Sequence, residues 1–391
     1  RAAGKLYSGG NLLLTSGVFE QLGQVVALGN LTLKLTGAFT GKNVLAAGTV
    51  LDITSNGTIN NQGVMQGQAV NLTTGTTLTN NGQITTGSGA SILSAGSISM
   101  NTTGTLQAGG DVVLNSRGNI TVAGFIGTAG SLTLNAASSI LNTALLYAGN
   151  NMYLLANTIR NNHGDILAGN SLWMQRDMAG NANAEVVNTS GNIETVNGDI
   201  TINTGHLVNE REGLVAHVTE ETDLAGQYSW LTSIDADVPL SYLDSINYDY
   251  GYYRADTGCG NGCAGAYWSR PAPYSNSAEL QFAVSRSQVI VESNGSPVAH
   301  ISSGRDLLLH ADVLENNASH ILATNNAILS GNTLNNQSWI ESIETHYLSY
   351  AYGGSEYATE SSITSQNGTG GMNSIYFVTT GDIRTESTDG D

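Results

Sequence analysis

Branched aliphatic residues recur along the first 170 residues at intervals of about twenty. When small or apolar residues are taken as register marks, the successive gaps are 19, 20, 19, 20, 22, 20, 20 and 20 residues. The marks are Gly9, Leu28, Gly48, Gly67, Gly87, Gly109, Ala129, Gly149 and Gly169. A fixed period of this length indicates a repeat architecture in which each unit stacks on its neighbours.

Each repeat has two apolar segments with the spacing of β-strands. A branched aliphatic residue lies three positions before every mark, and an apolar pair lies three and five positions after it. The first set is Leu6, Val25, Leu45, Val64, Ile84, Leu106, Ile126, Leu146 and Ile166. The pairs include Leu31 and Leu33, Val70 and Leu72, Ala90 and Ile92, and Leu132 and Leu134. Residues two apart share one face of a strand, so the pattern predicts two strands per repeat.

A third strand is predicted about twelve residues after each mark, next to turns that contain asparagine pairs such as Asn60-Asn61, Asn80-Asn81 and Asn161-Asn162. Three strands and three turns close one coil. Twenty residues are too few for a propeller blade, and helix-forming runs are missing, which disfavours a leucine-rich repeat. The sequence therefore predicts an all-β parallel β-helix of about 20 residues and three strands per coil, with asparagines at equivalent positions stacked in amide ladders.

The repeat is interrupted in the second half of the chain. After Trp173 the next match, Ile200 and Ile202, comes late, and the rhythm is then lost from about residue 215 to about 297. Two repeats return with Ile301, Leu307 and Leu309, and then Leu322 and Ile328. A second excursion covers about 338–365, and the strand pattern resumes near Phe377. We predict repeats over 1–214 and, over 215–391, a region that continues the β-helix with two insertions.

Composition supports many short strands joined by tight turns. The 391 residues include 48 glycines and only 4 prolines, and charged residues make up 11%. This mixture disfavours helices, collagen and disorder. The net charge of −18 is uneven, since residues 1–200 contain eight acidic and seven basic side chains and residues 201–391 contain 23 and 6. An acidic second half makes a nucleic-acid partner an unfavourable hypothesis.

Cys259 and Cys263 lie in the loop-like run TGCGNGCAG. A small disulfide, which would fit an oxidising compartment, is the favoured interpretation, and a pair of free thiols is the alternative. Two cysteines do not complete a tetrahedral metal site. No run approaches 18 consecutive apolar residues, so no membrane-spanning helix is expected. Because the chain begins in mid-pattern at Arg1 without a signal peptide, we expect it to be a fragment.

The coils resemble the filamentous-haemagglutinin repeats of two-partner-secreted exoproteins. The run VVNTSGNIETVNGDITINTGHLVNEREGL (186–214) is similar to the stretch that ends the first repeat region of contact-dependent growth-inhibition effector proteins. The resemblance is specific up to residue 214 and weaker over 215–391, where family members vary. It implies a right-handed β-helix, secretion through an outer-membrane partner and display on the bacterial cell surface.

The resemblance also implies a function for the second half. In this family the region after the first repeat block binds a receptor on a neighbouring bacterium, and the toxin lies at the far C-terminus. We therefore expect 215–391 to recognise an outer-membrane β-barrel protein, with lipopolysaccharide as a less favoured target, and we expect no catalysis and no cofactor. A general filamentous adhesin that binds host glycans or matrix is the alternative.

The candidate contact residues are aromatic and acidic side chains of the two excursions, because tyrosine, tryptophan and arginine dominate binding hot spots. They are Trp230, Tyr242, Asp244, Tyr248, Asp249, Tyr250, Tyr252, Tyr253, Arg254, Tyr267 and Trp268, with Tyr347, Tyr350 and Tyr352 as an accessory set. The structural alternative is that these rings cap the open side of the β-helix.

The acidic residues of the first excursion have two interpretations. Residues 210–257 contain ten acidic and two basic side chains, which would either steer the protein towards a basic patch or simply keep it soluble. A Ca²⁺ site among Asp235, Asp237 and Asp244 is conceivable, but no complete ligand loop is present, so no metal site is predicted. Polysaccharide lyases share the β-helix fold, yet residues 1–200 contain only isolated acids such as Asp111 and Asp165, and no catalytic motif is found.

Overall fold

A computed structural model describes residues 4–221, 252–256, 264–268, 279–338, 342–352, 377–379 and 384–389. All the helices and strands assigned in this part of the chain are β-strands. The chain divides into two compact units. The first comprises residues 1–214 and 293–338, and the second comprises residues 215–292 and 339–391.

The first unit is a stack of coils, and each coil contributes one strand to each of three faces. The strands of the first face pair in parallel to form a twelve-stranded sheet. They are Lys5–Ser8, Gln24–Ala27, Val44–Ala47, Val64–Gly67, Gln83–Thr86, Thr105–Ala108, Phe125–Thr128, Leu145–Ala148, Asp165–Ala168, Asn192–Thr195, His300–Ser303 and His320–Ala323.

The second and third faces together form a 22-stranded sheet. Strands of the second face are Leu12–Ser16, Leu31–Leu35, Val50–Ser55, Ala69–Thr74, Ser91–Ala95, Val112–Ser116, Leu132–Ala136, Met152–Leu155, Leu172–Gln175 and Ala327–Ser330. Strands of the third face are Phe19–Gln21, Phe39–Gly41, Ile59–Asn61, Thr77–Asn80, Ser97–Met100, Ile120–Val122, Ser139–Asn142, Thr158–Asn162, Asn183–Thr189 and Thr333–Gln337. Two long strands, Ile200–Glu210 and Leu307–Asn317, run across both faces.

The core is a set of aliphatic files that run along the stack. In one file on the first face, Leu106 pairs with Ile126, Ile126 with Leu146 and Leu146 with Ile166, and all four side chains are fully buried. A single coil buries little apolar surface by itself, so stability comes from stacking on both neighbours. The predicted fold, a right-handed parallel β-helix with three strands and about 20 residues per coil, is confirmed.

The structure corrects the predicted register at two coils. Val64 was assigned to the first-face file, but Met65 is the residue that pairs with Leu45 and is buried. The pair Ala90 and Ile92 was expected to point inward. Instead Leu93 is fully buried and Ile92 is 46% exposed. Both errors are slips of one residue, which reverse the face of every side chain in a strand, and adjacent apolar residues hide such slips in the sequence.

The returning repeats contain a similar error. Leu322 and Ile328 were expected to mark the last coil, but they are 51% and 56% exposed. The residue that continues the buried file from Ile301 is Ile321. The prediction of a returning coil is therefore correct in position, while its inward residues lie one place away.

An asparagine ladder runs inside the stack. In sequence order, each Nδ2 donates to the Oδ1 of the next member at 2.7–2.9 Å. The members are Asn142, Asn161, Asn188, Asn209, Asn316 and Asn336. A shorter ladder joins Asn61 to Asn80 at 2.7 Å. Amide ladders were predicted, and the structure places these asparagines at strand ends, where each buried amide finds partners in its own and the next coil.

The coil stack continues without a gap across the first excursion. Ile200–Glu210 pairs in parallel with Leu307–Asn317 along its whole length, and Ile193 pairs with Ile301. Leu207 and Leu314, which face each other across this join, are both buried. Coils separated by about a hundred residues therefore stack as directly as consecutive ones.

The second unit has its own sheets. Leu214–Glu221, Glu279–Ser293, Ser342–Tyr352, Phe377–Thr379 and Arg384–Asp389 form a five-stranded sheet, and Tyr252–Asp256 and Ala264–Trp268 form an antiparallel hairpin. Ser342–Tyr352 pairs antiparallel with three of these strands. The two excursions were expected as separate insertions, but their strands combine in one sheet.

Candidate functional site

Five of the predicted contact residues lie on the hairpin of the second unit. Tyr252, Tyr253 and Arg254 belong to its first strand, and Tyr267 and Trp268 belong to its second. The backbone register pairs Tyr252 with Trp268 and Tyr253 with Tyr267. Residues that are about fifteen apart in sequence are thus direct cross-strand neighbours, a pairing that the sequence analysis did not predict.

The accessory set lies on the strand that pairs with three others in the five-stranded sheet. Tyr347 is the register partner of Ala283 and of Arg384, and Tyr350 is the partner of Leu280. Tyr352 pairs with Phe377. These three tyrosines therefore occupy an inner strand of the sheet formed by both excursions.

The remaining candidate residues lie outside the part of the chain that the structure describes, and their roles stay predictions. They are Trp230, Tyr242, Asp244, Tyr248, Asp249 and Tyr250, together with Cys259 and Cys263 of the predicted disulfide and Asp235 and Asp237 of the conceivable Ca²⁺ site. Among the described residues, no three His, Cys, Asp or Glu side chains cluster as metal ligands. In the same residues, no helix has the length and apolar character needed to cross a bilayer.

The first excursion leaves and rejoins the coil stack at points held together by Arg211. The guanidinium group of Arg211 donates through Nε to the carbonyl oxygen of Ser296 and through Nη2 to Oγ of Ser293, both at 2.8 Å. Gly213, at φ +67°, lies against the Asn294 side chain, and a Cβ built at Gly213 would lie 2.2 Å from Asn294 Nδ2. Only glycine fits this position, so the exit point and the return point are fixed next to each other.

A second clamp joins the coils on either side of the excursion. The Asp199 carboxylate accepts from Nε of Arg305 at 2.6 Å and from the backbone N–H of Asp306 at 3.1 Å, and it also accepts from Nη2 of Arg305. The hydrogen bond from Arg305 holds the pKa of Asp199 below its usual value. The neighbouring Asp306 also has a lowered pKa, first because the Asn326 backbone N–H donates to it and also because the Asn325 amide does. Hydrogen bonds to the charged form favour ionised carboxylates at this turn.

A row of charged residues lies on the outer side of the third face. Glu185 accepts from Nη2 of Arg160 at 2.6 Å, and the His206 ring lies 3.9 Å from Glu185 and 3.5 Å from Glu315. These residues come from four successive coils, including the first coil after the excursion. The sequence analysis missed the row because its members are 25, 21 and 109 residues apart and contact one another only through stacking.

The fold therefore defines a class of protein, a parallel β-solenoid whose stacked coils carry an inserted unit without losing register. Comparison with known proteins assigns the class more narrowly. A model of the haemagglutinin repeat matches residues 1–82, 68–124, 123–172, 179–225 and 285–371. The chain belongs to the haemagglutinin-repeat family, as the resemblance of its coils indicated.

Several curated relatives carry the name CdiA. A tRNA nuclease CdiA of Escherichia coli O6:K15:H31 is 48% identical over 359 residues, which cover 89% of this chain and 11% of that protein. A protein named Toxin CdiA from Escherichia coli is 45% identical over 86% of this chain and 10% of its own length. A 16S rRNA endonuclease CdiA of Enterobacter cloacae is 48% identical over 38% of this chain and 5% of its own length.

The chain spans about a tenth of the length of the relatives that match most of it. It is therefore a CdiA-like segment, and the part of it that the family model matches is repeat sequence. The nuclease activities in the relatives' names belong to those proteins as wholes. No solved structure matches the chain.

Proposed function

We propose that this chain is the receptor-binding part of a contact-dependent growth-inhibition effector. The coil stack would carry residues 215–297 and 338–365 on a filament secreted to the bacterial cell surface through an outer-membrane partner. These excursions would bind an outer-membrane β-barrel protein on a neighbouring bacterium and so allow a toxin elsewhere in the full-length protein to be delivered. The segment itself would act by binding and not by catalysis.

The observation that carries the proposal is the uninterrupted pairing of Ile200–Glu210 with Leu307–Asn317. A long excursion that is not needed to close the coils, but that is anchored at both ends by Arg211, is an addition to a complete scaffold. Functional residues are concentrated in such additions, which a rigid framework holds in place. Family membership supports the same function, because the relatives with this name are described as toxins and nucleases.

The composition of the excursions supports a protein receptor. Tyrosine and tryptophan provide large contact areas at low entropic cost, and the hairpin aligns Tyr252 with Trp268 and Tyr253 with Tyr267. The acidic side chains of residues 210–257 would speed the approach to a basic patch on the receptor. Association should then slow as salt is raised, because screening shortens the range of the attraction.

The proposal is tested by binding the labelled chain to target bacteria and selecting target mutants that no longer bind it. We expect the selected mutations to fall in the gene of one outer-membrane protein, and its deletion to abolish binding. In the chain, Tyr252→Ala and Trp268→Ala should each weaken binding at least tenfold, as hot-spot truncations do. Tyr147→Ala is the matched control, because Tyr147 is 40% exposed on the coil stack and outside both excursions.

Other outcomes would contradict the proposal. Binding that survives every single-protein deletion and follows the glycan composition of the cell would favour a general adhesin. Equal losses from Tyr147→Ala and from the hairpin variants would remove the assignment of the contact surface to the excursions. Mass analysis after alkylation, with and without reduction, tests the predicted Cys259–Cys263 disulfide in the same preparation.

A further inference from the structure

Two aromatic side chains stack on the outer side of the second face. Tyr153 and Trp173 are register partners on consecutive coils, and their rings lie 4.6 Å apart at an interplanar angle of 7°. Stacked rings on neighbouring coils lie perpendicular to the direction of stacking. One face of the Trp173 ring is therefore covered by Tyr153, and the other face is directed towards the next coil.

The next coil leaves that face open. The register partner of Trp173 is Thr201, a short side chain, and the partner of Thr201 is Leu308, which is 37% exposed. Two coil spacings separate Trp173 from Leu308, a distance of about 9.6 Å. One saturated ring fits this slot, since carbon atoms pack at about 4 Å from each wall. Thr201 forms its floor.

The sides of the slot are polar and ordered. On one side the loop of residues 176–182 folds over the second face, where the Asn203 amide donates to the carbonyl oxygen of Gly180. The Asp177 carboxylate holds this loop by accepting from the Asn181 amide at 2.8 Å and from the Ala179 N–H at 3.0 Å. The hydrogen bond from the Asn181 side chain is the main reason that the pKa of Asp177 is lowered.

The opposite side of the same coils is formed by the turn between the first and second faces. There Asn170 donates through Nδ2 to Oδ1 of Asn151 at 2.8 Å, and the ion pair of Asp199 with Arg305 lies in the next two coils. Amide, carboxylate and guanidinium groups therefore flank the aromatic pair. An aromatic surface with a few polar groups around it is the usual composition of a small-ligand site.

We propose that this slot binds one neutral pyranose ring of a cell-surface polysaccharide. The C–H bonds of a sugar carry partial positive charge, which the negative face of an indole ring attracts, and the equatorial hydroxyl groups extend sideways to polar partners. The flanking charges include Asp177, Asp199 and Asp306 against Arg176 and Arg305, so an acidic sugar would be repelled. An apolar peptide side chain would leave the flanking polar groups unused, which favours the saccharide.

The site lies on the coil stack, so the inference does not depend on the receptor proposed above. It is tested with the whole chain by saturation-transfer NMR and calorimetry, using maltotetraose and cellotetraose as neutral probes and methyl glucuronide as the acidic probe. Trp173→Ala should weaken binding of a neutral probe at least tenfold. Thr201→Leu should do the same by filling the slot while leaving both aromatic rings in place.

Ile92→Ala is the matched control, because Ile92 occupies the equivalent outward position of the second face and is 46% exposed, but has no aromatic partner. We expect it to bind as the unchanged chain does. Failure of both neutral probes to bind at tens of millimolar, binding that Thr201→Leu leaves unchanged, or tighter binding of the glucuronide would each overturn the inference. Normal β-sheet circular dichroism of Thr201→Leu excludes unfolding as the cause of a loss.

Discussion

Asn209 connects the coils before the first excursion to the coils after it, and its removal tests how the stack continues. Its Nδ2 donates to Asn316 Oδ1 at 2.8 Å and to the carbonyl oxygen of His320 at 3.1 Å, and its Oδ1 accepts from Asn188 at 2.8 Å. The side chain is fully buried. Substitution by alanine therefore removes three hydrogen bonds from a site that water does not reach.

The cost follows from the groups left behind. Asn188 Nδ2 keeps its contacts with the carbonyl oxygens of Gly191 at 2.9 Å and His300 at 3.1 Å, so it loses least. Asn316 Oδ1 and the His320 carbonyl oxygen both lose a donor. A buried polar group left without its partner costs about 1–3 kcal/mol, so we expect Asn209→Ala to lower the free energy of unfolding by about 2–5 kcal/mol.

Asn335→Ala is the control, because Asn335 is exposed and lies beside the ladder member Asn336 in the same strand. Its effect should stay within about 0.5 kcal/mol. Urea denaturation followed by circular dichroism measures the difference in stability. Hydrogen exchange locates it, and exchange should increase most in residues 300–317, while residues 31–55 remain protected, since a stacked protein transmits a defect mainly to neighbouring coils.

The reasoning fails if Asn209→Ala and Asn335→Ala have the same small effect, because the ladder would then contribute nothing that the backbone pairing does not. It also fails if exchange increases evenly along the stack. In that case the join at Asn209 would be no more dependent on its amide than any distant coil.

Three further substitutions test other parts of the stack. Asp199→Asn should destabilise the chain at neutral pH, and the difference from the unchanged chain should shrink as pH falls below about 4, because the lowered pKa of Asp199 means that its stabilisation is present above the unfolded value of 3.8 and lost as pH drops through the folded one; denaturation midpoints against pH measure this. Leu93→Ala should cost about 2–5 kcal/mol and Ile92→Ala much less, and equal losses in urea denaturation would contradict the observed register. Gly82→Ala should cost about 1–3 kcal/mol, because its Cβ would lie 2.1 Å from the Gly63 carbonyl oxygen, whereas Gly10→Ala meets nothing within 4 Å; thermal unfolding compares the two.

The coil architecture was predictable because its cause is local and repeated. Leu106, Ile126, Leu146 and Ile166 recur at intervals of 20, and a parallel stack is the structure that buries such a file. The errors arose where two neighbouring residues are both apolar, as with Val64 beside Met65 and Ile92 beside Leu93. Hydrophobicity alone does not say which of two adjacent apolar side chains points inward, and the 22-residue coil removes the help of a constant period.

The candidate site was predictable in composition but not in geometry. The aromatic and acidic residues of the excursions are evident from the sequence, whereas the pairing of Tyr252 with Trp268 depends on a hairpin that no repeat announces. The same holds for Trp173 on the coil stack. Its position in the repeat predicts the outward direction, but the stacking on Tyr153 and the open space above Thr201 depend on what each neighbouring coil contributes.

The structure also explains why so long an excursion is tolerated at this point in the stack. Each coil contacts only its neighbours, so an insertion costs little if its two ends lie together and the coils beyond it find their register again. Arg211 and Gly213 hold the ends together, while Asp199 and Asn209 fix the register by contacts that span more than a hundred residues. Loop-closure entropy grows only slowly with length, so the sequence between these anchors is free to vary. A scaffold of this kind can exchange its binding surface without changing its fold, which is the property that a filament recognising different neighbours requires.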